Sequence, residues 1–194
     1  MFYRKFVKRL LDLLLAISML IILLIPLAIV GMIIKLTSKG PILFMQERYG
    51  INSEPFMLYK FRSMTNEAPI KANSEFNDIT SYITPFGMFI RKTSIDELPQ
   101  LWNVLKGDMS IVGPRALAST DRLVLDLRKQ NGADKVRPGI TGLAQINGRN
   151  NITDTEKANY DAKYVKNVSC KHDFMILVVT FFSVVKREGI FKDE

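Results

Sequence analysis

The sequence predicts a mostly helical α+β protein: a long apolar helix, then one small domain containing a short β-hairpin. Three observations predict it. Leu13 to Ile34 is a run of 22 residues without a charge. Two short apolar and aromatic stretches, separated by turn residues, follow it. Beyond them lie several segments whose apolar residues recur at helical spacing. A length of 194 residues suits about one domain with a core of ordinary size.

The apolar run would make a helix about 33 Å long, against a hydrocarbon core of roughly 30 Å. A secretory signal would be shorter and end in small residues, whereas this run leads to Lys35. The first 39 residues hold Arg4, Lys5, Lys8, Arg9, Lys35 and Lys39 against Asp12, so +5 of the net +8 lies there. A basic excess beside an apolar run fits anionic lipid headgroups better than nucleic acid. Basic residues flank both ends, which the positive-inside rule assigns to one side of the membrane. Pro26 removes a backbone hydrogen bond past the middle of the run. A kinked single span and a helix that enters, bends and returns fit these residues equally.

After Gly40-Pro41 the pattern changes, dividing the chain into a membrane-inserted segment, 1–39, and a domain, 40–194. Ile42 to Met45 and Phe56 to Phe61 read as the strands of a hairpin, with Gln46 to Gly50 as the turn. Asn66 to Ser81 reads as a loop. Helices are predicted over Phe86 to Lys92, Leu98 to Lys106 (ended by Gly107), Ala116 to Gln130 and Asp154 to Lys166. Phe174 to Val185 is too short to span and suits a core or membrane-surface helix.

Cys170 and His172 are the only cysteine and histidine. That excludes an internal disulfide and a zinc cluster. Any catalysis falls to carboxylates, cations, hydroxyls or a hard metal. Three clusters carry such groups. In Arg91-Lys92-Thr93-Ser94-Ile95-Asp96-Glu97-Leu98-Pro99, the acidic pair fits a helix cap, with Ser94 and Glu97 as a capping box or Asp96 itself as the cap. It fits equally a nucleophile or metal ligand. Gly113-Pro114 is a rigid turn presenting Arg115, suited to bidentate phosphate recognition. Val136 to Arg149 holds three glycines with Arg137, Gln145, Asn147 and Arg149, a pattern open to phosphate approach. It lacks the Walker A and G-x-G-x-x-G signatures.

The ordered set Phe44-x-Gln46-x-Arg48-x-Gly50, Tyr59-Lys60-Phe61-Arg62-Ser63-Met64, Arg91 through Arg115, Val136 to Arg149 and Asp161-x-x-Tyr164-Val165 resembles the bacterial sugar transferases. These are single-domain monotopic polyprenyl-phosphate phosphoglycosyl transferases. The resemblance runs from about Tyr3 to about Arg187. It implies transfer of a sugar-1-phosphate from a UDP-sugar to a polyprenyl phosphate, with release of UMP. Asp96 would be the nucleophile and Glu97 the Mg²⁺ ligand. Lys60, Arg62, Arg91 and Arg115 would bind phosphates, with Arg137, Gln145 and Arg149 near the nucleotide. Asp161 and Pro114 would have supporting roles.

The resemblance also implies a re-entrant N-terminal helix bent at a Ser-Pro pair, here Ile25-Pro26, with both ends cytoplasmic. The remainder would be a catalytic domain on the cytoplasmic face of the bacterial inner membrane, with membrane-surface amphipathic helices. Downstream glycosyltransferases are implied partners, and nucleic acid is not. The alternative reading is an inactive scaffold for glycan assembly.

Overall fold

The computed structural model describes residues 2–69, 80–148 and 152–186. A π-helical turn, Tyr3–Val7, leads into α1, Lys8–Thr37. α1 runs through Pro26 as one helix, and with the preceding turn it is long and apolar enough to cross a membrane. The antiparallel hairpin follows, β1 over Leu43–Tyr49 and β2 over Pro55–Phe61. The strand continues through Gln46–Tyr49, where the sequence suggested a turn. The reversal comes at Gly50–Glu54, where Asn52 and Ser53 take positive φ.

The later helices are α2 (Pro85–Lys92), α3 (Gln100–Lys106), α4 (Arg122–Asn131), α5 (Leu143–Ile146), α6 (Asp154–Lys166) and α7 (Cys170–Lys186). Thr84 caps α2 by accepting from the Gly87 amide at 2.9 Å. α6 opens with a full capping box, Thr153 with Glu156. α4 begins later than its pattern suggested, because the chain at Leu117 pairs with β1 and then turns at 119–120: the Tyr49 amide donates to the Leu117 carbonyl, the Ala118 amide to Asp121 Oδ2, and the Asp121 amide to the Ala118 carbonyl. Two three-residue strands, β3 (Ser110–Val112) and β4 (Gly139–Thr141), pair in parallel.

The main core gathers Ala16 from α1, Leu58, Leu101, Val104, Met109, Ile111, Val112, Tyr164 and Ile176. A second cluster joins Ile34 near the end of α1 to Phe61 and Ile90. α1 therefore docks on the domain at both ends, while Ile21, Ile22, Leu24 and Ile25 between them are 68–74% exposed.

Polar anchors fix both docks. Near the start, buried Asp12 accepts from the Ser110 hydroxyl at 2.8 Å and the Ile111 amide at 3.0 Å. Near the end, Arg62 donates to the Ser38 and Lys39 carbonyls at 2.9 and 2.7 Å, holding the chain just past the helix C-terminus. The basic N-terminus serves the same purpose. Lys8 pairs with Asp173 at 2.7 Å, Arg9 donates to the Val104 and Leu105 carbonyls ending α3, and Arg4 donates to the Lys135 carbonyl. Three of the six cations read from sequence as a headgroup attraction, Arg4, Lys8 and Arg9, thus grip the protein itself.

Candidate active site

The acidic pair lies in a single 3₁₀ turn, Ile95–Glu97, between α2 and α3. Pro99 occupies the N-cap position of α3, so neither Ser94 nor Asp96 caps that helix through its side chain. Ser94 sits at φ 56°, ψ 16°, a left-handed conformation that costs a non-glycine residue about 1–2 kcal/mol. Such local strain persists where the surrounding structure over-determines it.

Asp96 is only 9% exposed. Burial pushes its carboxyl up to about 6, against the pull of Lys60, Arg91 and Arg115. Glu97 Oε1 accepts from Lys60 Nζ at 2.7 Å and from Arg115 Nη2 at 3.3 Å. Arg91 lies within electrostatic reach of both carboxylates, and its Nη1 is buried with no acceptor among the described residues.

Arg115 comes from a loop fastened on every side. The Gly113 amide donates to the Thr141 carbonyl, and the Gly139 amide to that of Pro114, both at 2.8 Å. Arg128 donates to the Arg115 carbonyl at 2.8 Å while pairing with Asp161 at 2.6 Å. Asp161 and Pro114 therefore hold the Arg115 loop and do not face the carboxylates. The glycines of the 136–149 segment serve this packing: a Cβ on Gly139 or Gly142 would lie 2.1 or 2.0 Å from Gly113 backbone atoms. Their absent side chains let two loops approach each other.

A cavity of about 340 Å³ opens beside the turn. Glu97, Arg115 and Gln145 stand on its polar side, and Gln145 Oε1 is buried without a partner among the described residues. The rest of its wall is mostly apolar, with Met19 of α1, Leu101, Ile140, Leu177 and Val184. The exposed face of α7 next to it carries Phe174, Phe181, Phe182 and Val185.

The structure thus gathers Lys60, Arg91, Asp96, Glu97, Arg115 and Gln145 around one site. Arg62 is committed to the end of α1, and Arg137 to the Gly107 carbonyl at 2.7 Å. Arg149 lies outside the described residues. The sequence reading missed Arg128, an ordinary-looking helix cation, and left Arg48 without a role. No group of three or more His, Cys, Asp or Glu occurs among the described residues. The donor set fits Mg²⁺, which takes one or two carboxylates together with substrate phosphates.

Two carboxylates ringed by cations thus stand beside a mostly apolar cavity that the long apolar helix helps to line. The bacterial sugar transferase family matches residues 3–187, and the chain belongs to that family. It is 47% identical to the uncharacterised sugar transferase EpsL of Bacillus subtilis (strain 168), over 94% of this chain and 89% of that one. It is 42% identical to a UDP-glucose:undecaprenyl-phosphate glucose-1-phosphate transferase of Klebsiella pneumoniae, over 90% of this chain and 39% of that protein. It is 38% identical to an undecaprenyl-phosphate galactose phosphotransferase of Salmonella typhimurium, over 96% of this chain and 42% of that protein. The chain spans about two fifths of the length of these last two relatives.

Proposed function

We propose that the protein transfers a sugar-1-phosphate from a UDP-sugar to a membrane polyprenyl phosphate such as undecaprenyl phosphate, releasing UMP. The product is a polyprenyl-diphosphate sugar, a first membrane intermediate of bacterial glycan assembly. The observation that carries this is Asp96: a buried carboxylate beside Lys60, Arg91 and Arg115, next to a cavity whose apolar wall reaches α1.

An Asp96 oxygen attacks the sugar-bearing phosphorus, and the bond to the bridging oxygen breaks. UMP leaves with that oxygen, and the sugar phosphate stays on Asp96. An oxygen of the polyprenyl phosphate then attacks the same phosphorus and releases Asp96. A carboxylate is a competent nucleophile for such two-step transfer. With a carboxyl near 6, Asp96 is mostly ionised at pH 7 to 8. Arg91 and Arg115 stabilise charge that develops on the phosphate, and Lys60 orients Glu97. Mg²⁺, held by Glu97 and the substrate phosphates, would neutralise diphosphate charge.

The acceptor's chain suits the apolar side of the cavity, which lies between α1 and α7. The docking of α1 supports a re-entrant insertion. Asp12 and Ile34 are about 33 Å apart along a helix. A domain that grips both on one side leaves no room for a 30 Å hydrocarbon core between them. Pro26 falls in the exposed stretch, where a bend would sit, and both ends would be cytoplasmic.

The test is UMP release by the detergent-solubilised protein with undecaprenyl phosphate, Mg²⁺ and a panel of UDP-sugars. The expected outcome is continuous turnover that requires the lipid, beyond a first stoichiometric release, and that stops on chelation with EDTA. Silence across the panel would refute the activity and leave a scaffold role.

A further inference from the structure

Arg48 belongs to the Phe44-x-Gln46-x-Arg48-x-Gly50 motif and takes no part in the reaction as described. The hairpin register pairs Phe44 with Lys60, Gln46 with Leu58 and Arg48 with Phe56. Paired residues share a face and side chains alternate along a strand, so Arg48, Gln46 and Lys60 project from one side of the hairpin. From that face Lys60 reaches Glu97. Arg48 lies about 13 Å further along, four residues beyond the partner of Lys60.

The end of β1 is joined to the Arg115 loop: the Tyr49 amide donates to the Leu117 carbonyl at 2.8 Å. The Arg48 guanidinium is weakly satisfied there. Nη2 donates to Gln46 Oε1 at 2.7 Å, while Nη1 is 3.5 Å from the Ala116 carbonyl and 3.8 Å from Asp121. Its Nε is buried and meets no acceptor among the described residues. Burial first, and then the neighbouring Arg115, push Arg48 down to about 10. Two guanidiniums drawn together from neighbouring elements repel, and an anion between them removes that cost and takes up their donors.

We propose that Arg48 and Arg115 form a two-arginine seat for the nucleoside-side phosphate of the sugar diphosphate. Arg115 sits nearer Glu97 and the attacked phosphate, and Arg48 takes the phosphate that leaves with the nucleoside. This rests on the transferase reading above.

The experiment measures KM for the UDP-sugar, KM for undecaprenyl phosphate, and inhibition by UMP, in the wild type, Arg48→Met and Arg48→Lys. One Arg–phosphate contact of ordinary strength corresponds to about 10- to 100-fold. Arg48→Met is expected to raise the UDP-sugar KM and the UMP inhibition constant by that factor, with the acceptor KM unchanged. Arg48→Lys falls between, because it keeps the charge but loses the fork. Arg48→Met with Arg115→Met costs less than the product of the single effects, since both hold one phosphate.

Unchanged UMP inhibition, an equal rise in the acceptor KM, or multiplying effects would overturn the proposal. If Arg48→Met does not fold, Arg48→Lys decides by the same constants. If the wild type releases no UMP, the transferase reading fails. Calorimetric binding of UMP to wild type and Arg48→Lys then still tests the seat, and equal affinities sink it.

Discussion

Replacing Asp96 by Asn should make the protein inactive and more stable. Asp96 keeps its proton in the folded state to about pH 6, whereas in the unfolded chain it ionises at its ordinary 3.8. Below about pH 4 both states hold the proton, and the group costs nothing. As pH rises toward 6 the unfolded chain releases its proton first, so folding stability falls, and above 6 the full cost of about 3 kcal/mol is in place. Burial is the cause and outweighs the attraction of Lys60, Arg91 and Arg115. Asn occupies the same volume without the charge. At pH 7.5 the substitution should raise Tm in detergent by about 6–12 °C for a chain of this size. At pH 4 the gain should vanish. A variant that is less stable at pH 7.5, or whose gain does not depend on pH, would refute the assignment of Asp96 as a desolvated carboxylate.

Three further outcomes are expected. Lys60→Met removes the strongest attraction holding the Asp96 carboxyl down, so the acid limb of kcat/KM against pH should move above about 6, read from UMP release across pH 5 to 8. Asp12→Ala strips the buried Ile111 amide of its acceptor and leaves the Ser110 hydroxyl only the Val112 carbonyl, so it should cost about 1–3 kcal/mol in urea unfolding and speed proteolysis of the N-terminal helix. Arg128→Met strands buried Asp161 and releases the Arg115 carbonyl. It should cost about 3–5 kcal/mol, and adding Asp161→Leu should recover much of the stability but little of the activity.

The elements that depend on local pattern were legible in the sequence: the apolar helix, the hairpin, and the polar helix at Asp154–Lys166. β3 and β4 were not, because three-residue parallel strands have no period to read and exist only through their pairing. Their pairing also explains the glycines at 139 and 142, which look like phosphate-loop residues until the facing backbone is known. Within the site, Asp96, Glu97, Lys60, Arg91 and Arg115 carried motif signals and converge. Arg62 and Arg137 carried the same signals, yet their guanidiniums serve helix ends, and a cation's charge alone does not say which acceptor it will meet. Asp12 entered the sequence reading only as one negative charge. Its role depends on Ser110 and Ile111, almost a hundred residues away.

The most direct test of the proposed chemistry is the mass of the protein after mixing with Mg²⁺ and an accepted UDP-sugar, without polyprenyl phosphate. The expected result is a stoichiometric burst of UMP and an added phosphosugar on the peptide containing Asp96. That adduct should be absent from Asp96→Asn and discharged by undecaprenyl phosphate. UMP release that requires the lipid from the outset, with no adduct on Asp96 at any time, would contradict it and point to direct transfer between the two substrates.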